Sequence, residues 1–363
     1  MVRDYKGAFH VHSKLSDGTG SPMEIVEAAR RAGLDFVVLT DHKTVILRRR
    51  GKEGWYGSTM LLVGQEITPR VNHVVALGLD SVVRPVRGEP YAHAREVAKR
   101  GGLAFAVHPW PPRRVKHVPF RRLPAPWHDW TRAPVMGVEL WSYMADWVRH
   151  VHFLRPLQFL KLLRDPERGI RGPLRSTLAE YDAVCRRRRM VAVGGLDAHA
   201  LRGPFGLEVF PYEFLFGTIR THVLVAEAFT GDFAHDEPAF YAALREGHCY
   251  FAHDGLADST GTTFTCSGAA GEWLMGDELG LEPGLTLRAT VPVEAALRLV
   301  YNGSTVHETS GTALEWPVHE PGVYRMEGRI GGRPWLYTNP VYVREAVASS
   351  DAGPDEGACL DDV

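Results

Sequence analysis

Apolar runs that alternate with helix-patterned segments fill the first 250 residues of the chain. Residues 35–40 (DFVVLT) are largely apolar, as is typical of a strand buried in a parallel sheet. Before them, Ser21, Pro22 and Glu24 supply the capping box and first-turn proline of a helix. An earlier strand is predicted at residues 8–12. This strand–helix–strand unit with short connections predicts an α/β fold.

The same pattern recurs along this part of the chain. Further strands are predicted at residues 60–68, 73–79, 103–107, 135–141, 191–194 and 221–226, and helices at residues 91–100, 151–189 and 237–246. Residues 110–133 are rich in Pro, Arg and Trp without periodicity and are predicted to form a long loop. We therefore expect one large α/β domain over residues 1–255.

The pattern of apolar and polar residues changes near residue 255. Short alternating runs follow, among them residues 285–291 and 296–301, and Asn302-Gly303 is a strong hairpin signal. These features predict a small antiparallel β-sandwich at residues 260–346. The segment at residues 347–363 is acidic and contains Gly, and it is predicted to be disordered.

Potential metal ligands occur at or near the ends of the predicted strands. In a regular strand, His10 and His12 point to the same face, which makes them a ready pair of ligands. The other members of the set are Asp17, His42, Glu66, His73, His108, Asp197 and His199. In a parallel α/β barrel, active sites assemble at the C-terminal ends of the strands. We therefore expect these side chains to converge on one site.

The donor set consists of imidazoles and carboxylates without cysteine. This mixture suits Zn²⁺, Mn²⁺ or Fe rather than Ca²⁺ or a structural zinc. Nine ligands exceed the needs of one ion, so we expect two or three divalent ions. Three dications against three carboxylates leave a surplus of roughly three positive charges, which a bridging hydroxide and an anionic substrate would offset. The reaction class that follows is hydrolysis by metal-activated water.

Five motifs occur in order along this part of the chain. They are H-x-H-x₄-D-G (10–18), T-D-H (40–42), Glu66 with H-x-x-x-L-G-L (73–79), A-V-H-P (106–109) and G-L-D-A-H (195–199). Together they resemble the PHP family, named for polymerase and histidinol phosphatase. The resemblance covers about residues 5–255, and all nine ligand positions that it implies are filled.

The resemblance implies a distorted (β/α)₇ barrel with a trinuclear metal site. It implies that His10, His12, Glu66 and Asp197 hold one ion, that Glu66, His73 and His108 hold a second, and that Asp17, His42 and His199 hold a third. The later motif R-P-W-x-x-x-N-P-x-Y (333–342) resembles PHP proteins grouped with carbaryl hydrolases. That subgroup favours hydrolysis of a carbamate or carboxyl ester.

Individual residues also have less specific interpretations. A charged Glu66 within an apolar strand would be costly to bury without a partner, which favours a ligand role. His73 and His108 are also compatible with hydrogen-bonded core histidines. Arg70 and Arg113 are candidates to bind a substrate anion because guanidinium matches phosphate bidentately, but solvated loop charges would look the same. Asp197 and His199 are candidate catalytic proton carriers.

Composition and charge indicate which binding partners and which cellular compartment to expect. The formal net charge is −1, which indicates neither a nucleic-acid nor a membrane partner. The four cysteines have no metal-like spacing and are expected to be free thiols in a reducing compartment. The N-terminus runs into the first strand without room for a signal peptide, and no apolar run is long enough to cross a membrane. We expect a cytoplasmic protein, whose oligomeric state the sequence leaves open.

These inferences favour a metal-dependent phosphoesterase that acts on a small anionic substrate. A carbamate or carboxyl ester hydrolase with the same metal centre is the first alternative. A DNA exonuclease is disfavoured because the chain has no net basic charge. A binding protein with a relict barrel is disfavoured because a relict site should have lost ligands.

Overall fold

The structure, a computed structural model, describes residues 2–109, 127, 129–150, 156–202 and 208–345. Arg113, most of the predicted loop at residues 110–133 and the predicted disordered tail at residues 347–363 lie outside the described residues. Helices and strands alternate along the N-terminal part, whereas strands predominate after residue 255. The fold is therefore mixed α/β, and a count of seven β/α units stays a prediction.

Each element is named here by its place in the chain. The strands are β1 (Arg3–Val11), β2 (Phe36–Leu39), β3 (Gly54–Tyr56), β4 (Thr59–Val63), β5 (Gln65–Ile67), β6 (Val74–Leu77), β7 (Leu103–Ala106), β8 (Gly137–Ser142), β9 (Val191–Gly195), β10 (Leu201–Arg202), β11 (Glu208–Val209), β12 (Ile219–Val225), β13 (Cys249–His253), β14 (Thr263–Gly268), β15 (Gly271–Leu274), β16 (Glu278–Gly280), β17 (Thr286–Tyr301), β18 (Ser304–Pro317), β19 (Gly322–Ile330), β20 (Arg333–Thr338) and β21 (Val341–Arg344). The helices are α1 (Pro22–Arg31), α2 (Ile46–Arg49), α3 (Ala92–Lys99), α4 (Tyr143–His150), α5 (Pro156–Arg164), α6 (Arg175–Cys185), α7 (Tyr212–Phe216) and α8 (Phe233–Glu246), with 3₁₀ turns at Trp130–Arg132 and Pro166–Gly169. In the part of the chain that the structure describes, no helix has the length and apolar character needed to span a bilayer.

Two sheets carry the predicted ligands. The larger sheet has the path β15-β14-β17-β19-β20-β13-β12-β1-β2-β4-β3, and the smaller has the order β5-β6-β7-β8-β9. Strands β1, β2 and β4 are parallel to one another, as are β7, β8 and β9. Antiparallel pairs such as β1–β12 and β5–β6 interrupt this parallel order.

The two sheets meet at Gly64, which joins β4 to β5. The backbone N–H of Gly64 donates to the Leu39 carbonyl (2.7 Å), and that of Glu66 donates to the Thr40 carbonyl (2.9 Å). A Cβ at residue 64 would lie 2.6 Å from the backbone oxygen of Ala76, so this close approach requires glycine. The turn from one sheet to the other brings Glu66 beside His42, with which it forms an isolated bridge.

The predicted start of α1 is confirmed. The Ser21 hydroxyl accepts from the Glu24 backbone N–H (3.3 Å), and the Glu24 carboxylate accepts from the Ser21 N–H (2.6 Å). The helix buries Ile25 and Ala29 in the same core cluster as Leu61 of β4. A fully buried isoleucine or leucine side chain contributes roughly 1.5–3 kcal/mol. The cap therefore fixes the helix start, while this apolar face holds the helix against the sheet.

The C-terminal strands continue the larger sheet rather than stand apart from it. Strand β20 pairs with β13, with Leu336 opposite Ala252. Apart from residue 285, the runs at residues 285–291 and 296–301 belong to the single strand β17, whose pairing with β18 shifts between Thr290 and Ala295. Pro292 lies within this interval and has no N–H to donate, which accounts for the interruption.

The N-P-x-Y part of the C-terminal motif contacts the strand that leads to Asp197. Asn339 is 1% exposed; its Nδ2 donates to the Ala192 carbonyl (2.9 Å) and its Oδ1 accepts from the Ala192 N–H (2.7 Å). The Tyr342 hydroxyl accepts from the Met190 N–H (3.1 Å). These side chains satisfy the backbone of β9, so this part of the motif has a structural role.

A buried ion pair also joins β19 to α6. The Arg325 guanidinium donates to both carboxylate oxygens of Asp182, at 2.7 and 2.9 Å. The two side chains are 4% and 8% exposed. Removing one partner from such a pair leaves the other charge buried without compensation.

We predict that Arg325→Met lowers the free energy of unfolding by about 3–5 kcal/mol, because Asp182 would remain buried and unpaired. The matched control is Arg298→Met, which breaks the more exposed pair with Glu308 (3.0 Å) and should cost less than about 1 kcal/mol. Urea denaturation of both variants measures the difference. Equal losses would contradict a special contribution from the buried pair.

A second buried polar network surrounds His222. Its Nδ1 lies 2.9 Å from Asp4, and its Nε2 lies 3.1 Å from Asp254. Burial lowers the pKa of His222, but attraction to Asp254 and Asp4 outweighs this and raises the pKa to about 9. The charged imidazole therefore ties β12 to β1 and to the segment after β13.

We predict that this network makes stability depend on alkaline pH. Because the folded pKa of His222 is raised, its contribution is fully present below about pH 6.5 and is lost as pH rises through 9. The shift corresponds to on the order of 3 kcal/mol. Denaturation of wild-type protein and His222→Asn, both with chelator present, should give curves that converge between pH 6.5 and 9.5. A constant difference over that range would contradict the assignment.

Candidate metal centre

The structure brings all nine predicted ligands together. Among the described residues, three groups of side chains each have donor atoms that all lie within 4.8 Å of one another. Cluster 1 is His10, His12, Glu66 and Asp197; cluster 2 is Glu66, His73 and His108; and cluster 3 is His12, Asp17, His42 and His199. This partition agrees with the one that the sequence resemblance implies, with His12 as an additional member of cluster 3.

Glu66 is the carboxylate that clusters 1 and 2 share. It is 2% exposed and faces the rings of His10, His12, His42, His73 and His108. Its Oε2 lies 3.3 Å from His12 Nε2, and its Oε1 lies 2.9 Å from His73 Nδ1. One oxygen therefore faces cluster 1 and the other faces cluster 2.

Three ligands have backbone conformations that are unusual for residues other than glycine. The φ angles are 68° at His10, 33° at His108 and 54° at Asp197. Such positions cost on the order of 1–3 kcal/mol each and concentrate at functional sites. The pairing of β1 with β2 shifts between Ala8 and Val11. His10 and His12 thus meet, with ring centroids 5.1 Å apart, through an irregularity rather than the regular alternation expected from sequence.

The loop that carries Asp17 is fixed by neighbours that the sequence analysis did not identify. Asp41 accepts from the Ser13 N–H (2.8 Å) and from the Ser16 hydroxyl (2.5 Å). The Tyr212 hydroxyl donates to the His12 carbonyl (2.7 Å). A Cβ at Gly18 would lie 2.2 Å from the backbone oxygen of His12, so the turn requires glycine there.

The separations between donor atoms fit a shared metal ion. Two ligands at ~2.1 Å from a tetrahedral ion lie roughly 3.4 Å apart. In cluster 1, His10 Nε2 lies 3.5 Å from oxygens of Glu66 and of Asp197. In cluster 3, Asp17 Oδ1 lies 3.4 Å from His42 Nε2 and 3.3 Å from His199 Nε2. These distances are long for hydrogen bonds and suit atoms that bind the same cation.

Unpaired ring nitrogens support the same interpretation. Among the described residues, His10 Nε2, both nitrogens of His12, and His42 Nδ1 are buried without a hydrogen-bond partner. A buried polar atom without a partner costs roughly 1–3 kcal/mol. A bound cation would satisfy these lone pairs, so the residues present fit divalent metal ions.

The opposite charges of the site shift the pKa values of several of its residues. Burial disfavours charged His10, but Glu139 and Asp197 outweigh it and raise the His10 pKa. Burial raises the Asp17 pKa, but contacts with His199 and His42 outweigh it and lower that pKa well below its usual range. The His199 pKa rises to about 9 because contact with Asp17 outweighs desolvation. The site therefore stabilises positive charge, and metal binding would release protons.

Glu139 of β8 is a site residue that the sequence analysis did not identify. It is 1% exposed, and its Oε1 lies 3.0 Å from His10 Nδ1. Its Oε2 accepts from the His108 backbone N–H (2.8 Å). A charged residue inside the apolar run at residues 135–141 was the available signal, since the same argument identified Glu66.

The candidate substrate-binding arginines are not part of the described clusters. Arg70 is exposed in the turn after β5, and Arg113 lies outside the described residues. A cavity beside cluster 2 is instead lined by His108, Glu139, Ser142, Asp146 and Arg149. The centre of a water molecule can occupy a volume of about 20 Å³ in this cavity, so the cavity has room for about one water molecule.

Comparison with known proteins yields distant similarities. No protein-family model matches the chain. An uncharacterized protein of Methanocaldococcus jannaschii is 27% identical over 120 residues, which cover 30% of this chain and 69% of that protein.

Two solved structures are also similar. One is a two-domain protein from Bacteroides vulgatus that contains a predicted PHP-like metal-dependent phosphoesterase; it has a TM-score of 0.46 and 19% identity over 93% of this chain and 95% of that chain. The other, a candidate metal-dependent phosphoesterase from Bifidobacterium adolescentis, has a TM-score of 0.31 and 17% identity over 56% of this chain and 91% of that chain. Similarities this distant support no inference about activity.

We predict that Glu66→Gln weakens Mn²⁺ binding at least about 100-fold, because one substitution removes an anionic ligand from clusters 1 and 2. Wild-type protein should show a thermal midpoint that rises with Mn²⁺ concentration, and the variant should lose most of this rise. Calorimetric titration and thermal denaturation measure both effects. Glu27→Gln, on the exposed face of α1, is the control and should bind like the wild type. Unchanged binding by Glu66→Gln would contradict the shared-ligand assignment.

Proposed function

We propose that the protein is a metal-dependent hydrolase that cleaves phosphate esters of small molecules. The observation that carries the proposal is the set of 3.3–3.5 Å separations between imidazole nitrogens and carboxylate oxygens around buried Glu66. The motif order that resembles the PHP family supports the same class. Two or three ions of Zn²⁺, Mn²⁺ or Fe would be held by clusters 1, 2 and 3.

The formal charge of the loaded site favours an anionic substrate. The clusters contain three carboxylates, those of Asp17, Glu66 and Asp197. Three dications would leave a surplus of roughly three positive charges, which a phosphate ester would reduce. When bound, the ions would polarise a phosphoryl oxygen and lower the pKa of a water molecule.

Residues of the chain supply orientation and proton transfer. Glu66 holds the relative positions of clusters 1 and 2 through its two oxygens. Asp197 and His199 have side chains 17% and 19% exposed, whereas those of His10 and His12 are fully buried. We assign Asp197 as the proton acceptor at this more open side. His199 Nδ1 donates to the Asp197 backbone oxygen (2.9 Å), which orients the ring and leaves Nε2 facing Asp17.

The proposal also includes the domain organisation, the cellular compartment and the binding partner that the sequence predicts. Residues 1–255 would form a PHP-type barrel, and residues 260–346 would form a β-sandwich domain. We propose a cytoplasmic protein, in keeping with three free cysteines, Cys185, Cys249 and Cys266, among the described residues. Its partner would be a small anionic molecule rather than a membrane or a nucleic acid.

One observation favours a second function, hydrolysis of a carbamate or carboxyl ester. Arg149 and Asp146, which line the cavity beside His108, form an ion pair of 2.6 Å. Because Glu139 lines the same cavity, these side chains carry no surplus positive charge, and a neutral carbonyl group would suit them better than a phosphate dianion. The two functions differ in the substrate and not in the metal ligands.

A substrate panel tests the proposal. Release of p-nitrophenol would be measured from a phosphate monoester, a phosphodiester, an acetate and a carbamate, with digestion of a single-stranded oligonucleotide in parallel. We expect phosphate turnover by metal-loaded wild-type protein. The rate should fall by at least about 100-fold in chelator-treated protein and in His10→Ala, because each lacks part of the charge stabilisation.

The other possible results of the substrate panel would contradict the proposal in different ways. Turnover confined to acetate or carbamate would contradict phosphoester specificity and favour the second function. Oligonucleotide digestion without small-molecule turnover would favour a nuclease. Phosphate turnover that persists in His10→Ala would mean that the clusters are not the active site.

A further inference from the structure

Glu139 is a buried carboxylate that lies outside the three clusters but contacts two of them. We propose that Glu139 is a positioning residue that sets the hydrogen location on His10 and the backbone at His108, so that clusters 1 and 2 can bind metal together. This inference rests on the proposed metal-dependent function. The Glu139 carboxylate reaches both clusters through two contacts, one with the His10 ring and one with the His108 backbone.

The contact with His10 determines which ring nitrogen is available to a metal. Glu139 Oε1 lies 3.0 Å from His10 Nδ1. An ionised carboxylate only accepts hydrogen bonds, so Nδ1 carries the hydrogen and donates it. In the neutral ring, His10 Nε2, which lies 3.5 Å from Glu66 and from Asp197, is then left with its lone pair facing cluster 1.

The contact with His108 stabilises an unfavourable backbone conformation. His108 has a φ of 33°, and its backbone N–H donates to Glu139 Oε2 (2.8 Å). A charge-assisted hydrogen bond of this kind offsets part of the conformational cost. The same bond fixes where the His108 side chain leaves the backbone, and its Nε2 lies 3.2 Å from Glu66 in cluster 2.

The surroundings of Glu139 leave its carboxylate little freedom. Its side chain is fully buried. A Cβ at Gly195 would lie 1.8 Å from Glu139 Oε1, so the strand that leads to Asp197 makes room for the carboxylate by having glycine there. Glu139 also adds a fourth negative charge, which lowers the formal surplus of a site with three dications from roughly three to roughly two.

The matched variant is Glu139→Gln, which keeps the size of the side chain. An amide has one acceptor oxygen, so glutamine cannot accept from both His10 Nδ1 and the His108 N–H. We expect 10- to 100-fold weaker Mn²⁺ binding at the sites that clusters 1 and 2 form, as is typical of changes to groups that orient metal ligands. Binding at cluster 3 should change least, because among its members only His12 also belongs to cluster 1.

The measurement is Mn²⁺ stoichiometry and affinity by calorimetric titration, with the folded state verified by circular dichroism. The histidine ring ¹⁵N spectrum supplies a second readout that loss of stability alone would not change. In wild-type protein without metal, at a pH at which the ring is neutral, the His10 signal, assigned by its absence in His10→Ala, should report a protonated Nδ1. In Glu139→Gln, this signal should shift.

The control is Asp254→Asn, which alters another buried histidine–carboxylate contact, 3.1 Å from His222 Nε2 and outside the clusters. It should lower stability without changing Mn²⁺ affinity.

If Glu139→Gln does not fold, Glu139→Asp is the second variant. It keeps the charge but is one methylene too short to make both contacts, and it should show the same loss of Mn²⁺ affinity. Wild-type affinity and an unshifted His10 signal in a folded Glu139 variant would overturn this inference alone. Absence of Mn²⁺ binding by wild-type protein would overturn the proposed function and this inference with it.

Discussion

Glu66 is a buried carboxylate surrounded by imidazole rings, and the arrangement of the site depends on keeping that charge compensated. Burial raises its pKa, but the surrounding histidines, led by His10 and His108, outweigh the effect and lower the pKa well below the ordinary value. A charge so deeply buried would destabilise the fold by several kcal/mol if it were unpaired. The turn at Gly64 places this carboxylate where the two sheets meet. The fold therefore brings the histidines of separate strands to one carboxylate.

Support for the site comes from residues that do not belong to the clusters. Asp41 and Tyr212 hold the loop before Asp17, and Glu139 contacts the residues at two strained positions, His10 and His108. Strained ligands persist where the surrounding structure holds them in place. In this molecule the restraint comes from buried hydrogen bonds and from glycines at close backbone approaches. This arrangement explains how nine side chains from distant parts of the sequence share one centre.

Local signals in the sequence predicted much of this structure, and the features that they did not predict have physical reasons. The capping box of α1 and the apolar runs depend on neighbouring residues, so they could be recognised directly. The nine candidate ligands, which the structure brings together, could be predicted from residue type, spacing and motif order. The irregularity at His10 could not be, because it arises from pairing between β1 and β2. The same holds for the continuation of the sheet from β13 to β20, which depends on contacts between distant residues. Glu139 was missed although a charge within an apolar run was visible.

The central claim is that buried Glu66 is shared by two metal sites. The most direct test is a crystal structure of protein loaded with Zn²⁺, with anomalous scattering measured at the zinc edge. Two or three peaks are predicted within the clusters, each about 2.0–2.3 Å from its ligand atoms, with the Glu66 carboxylate touching two of them. Peaks only on the protein surface, or a single ion that does not contact Glu66, would contradict the account.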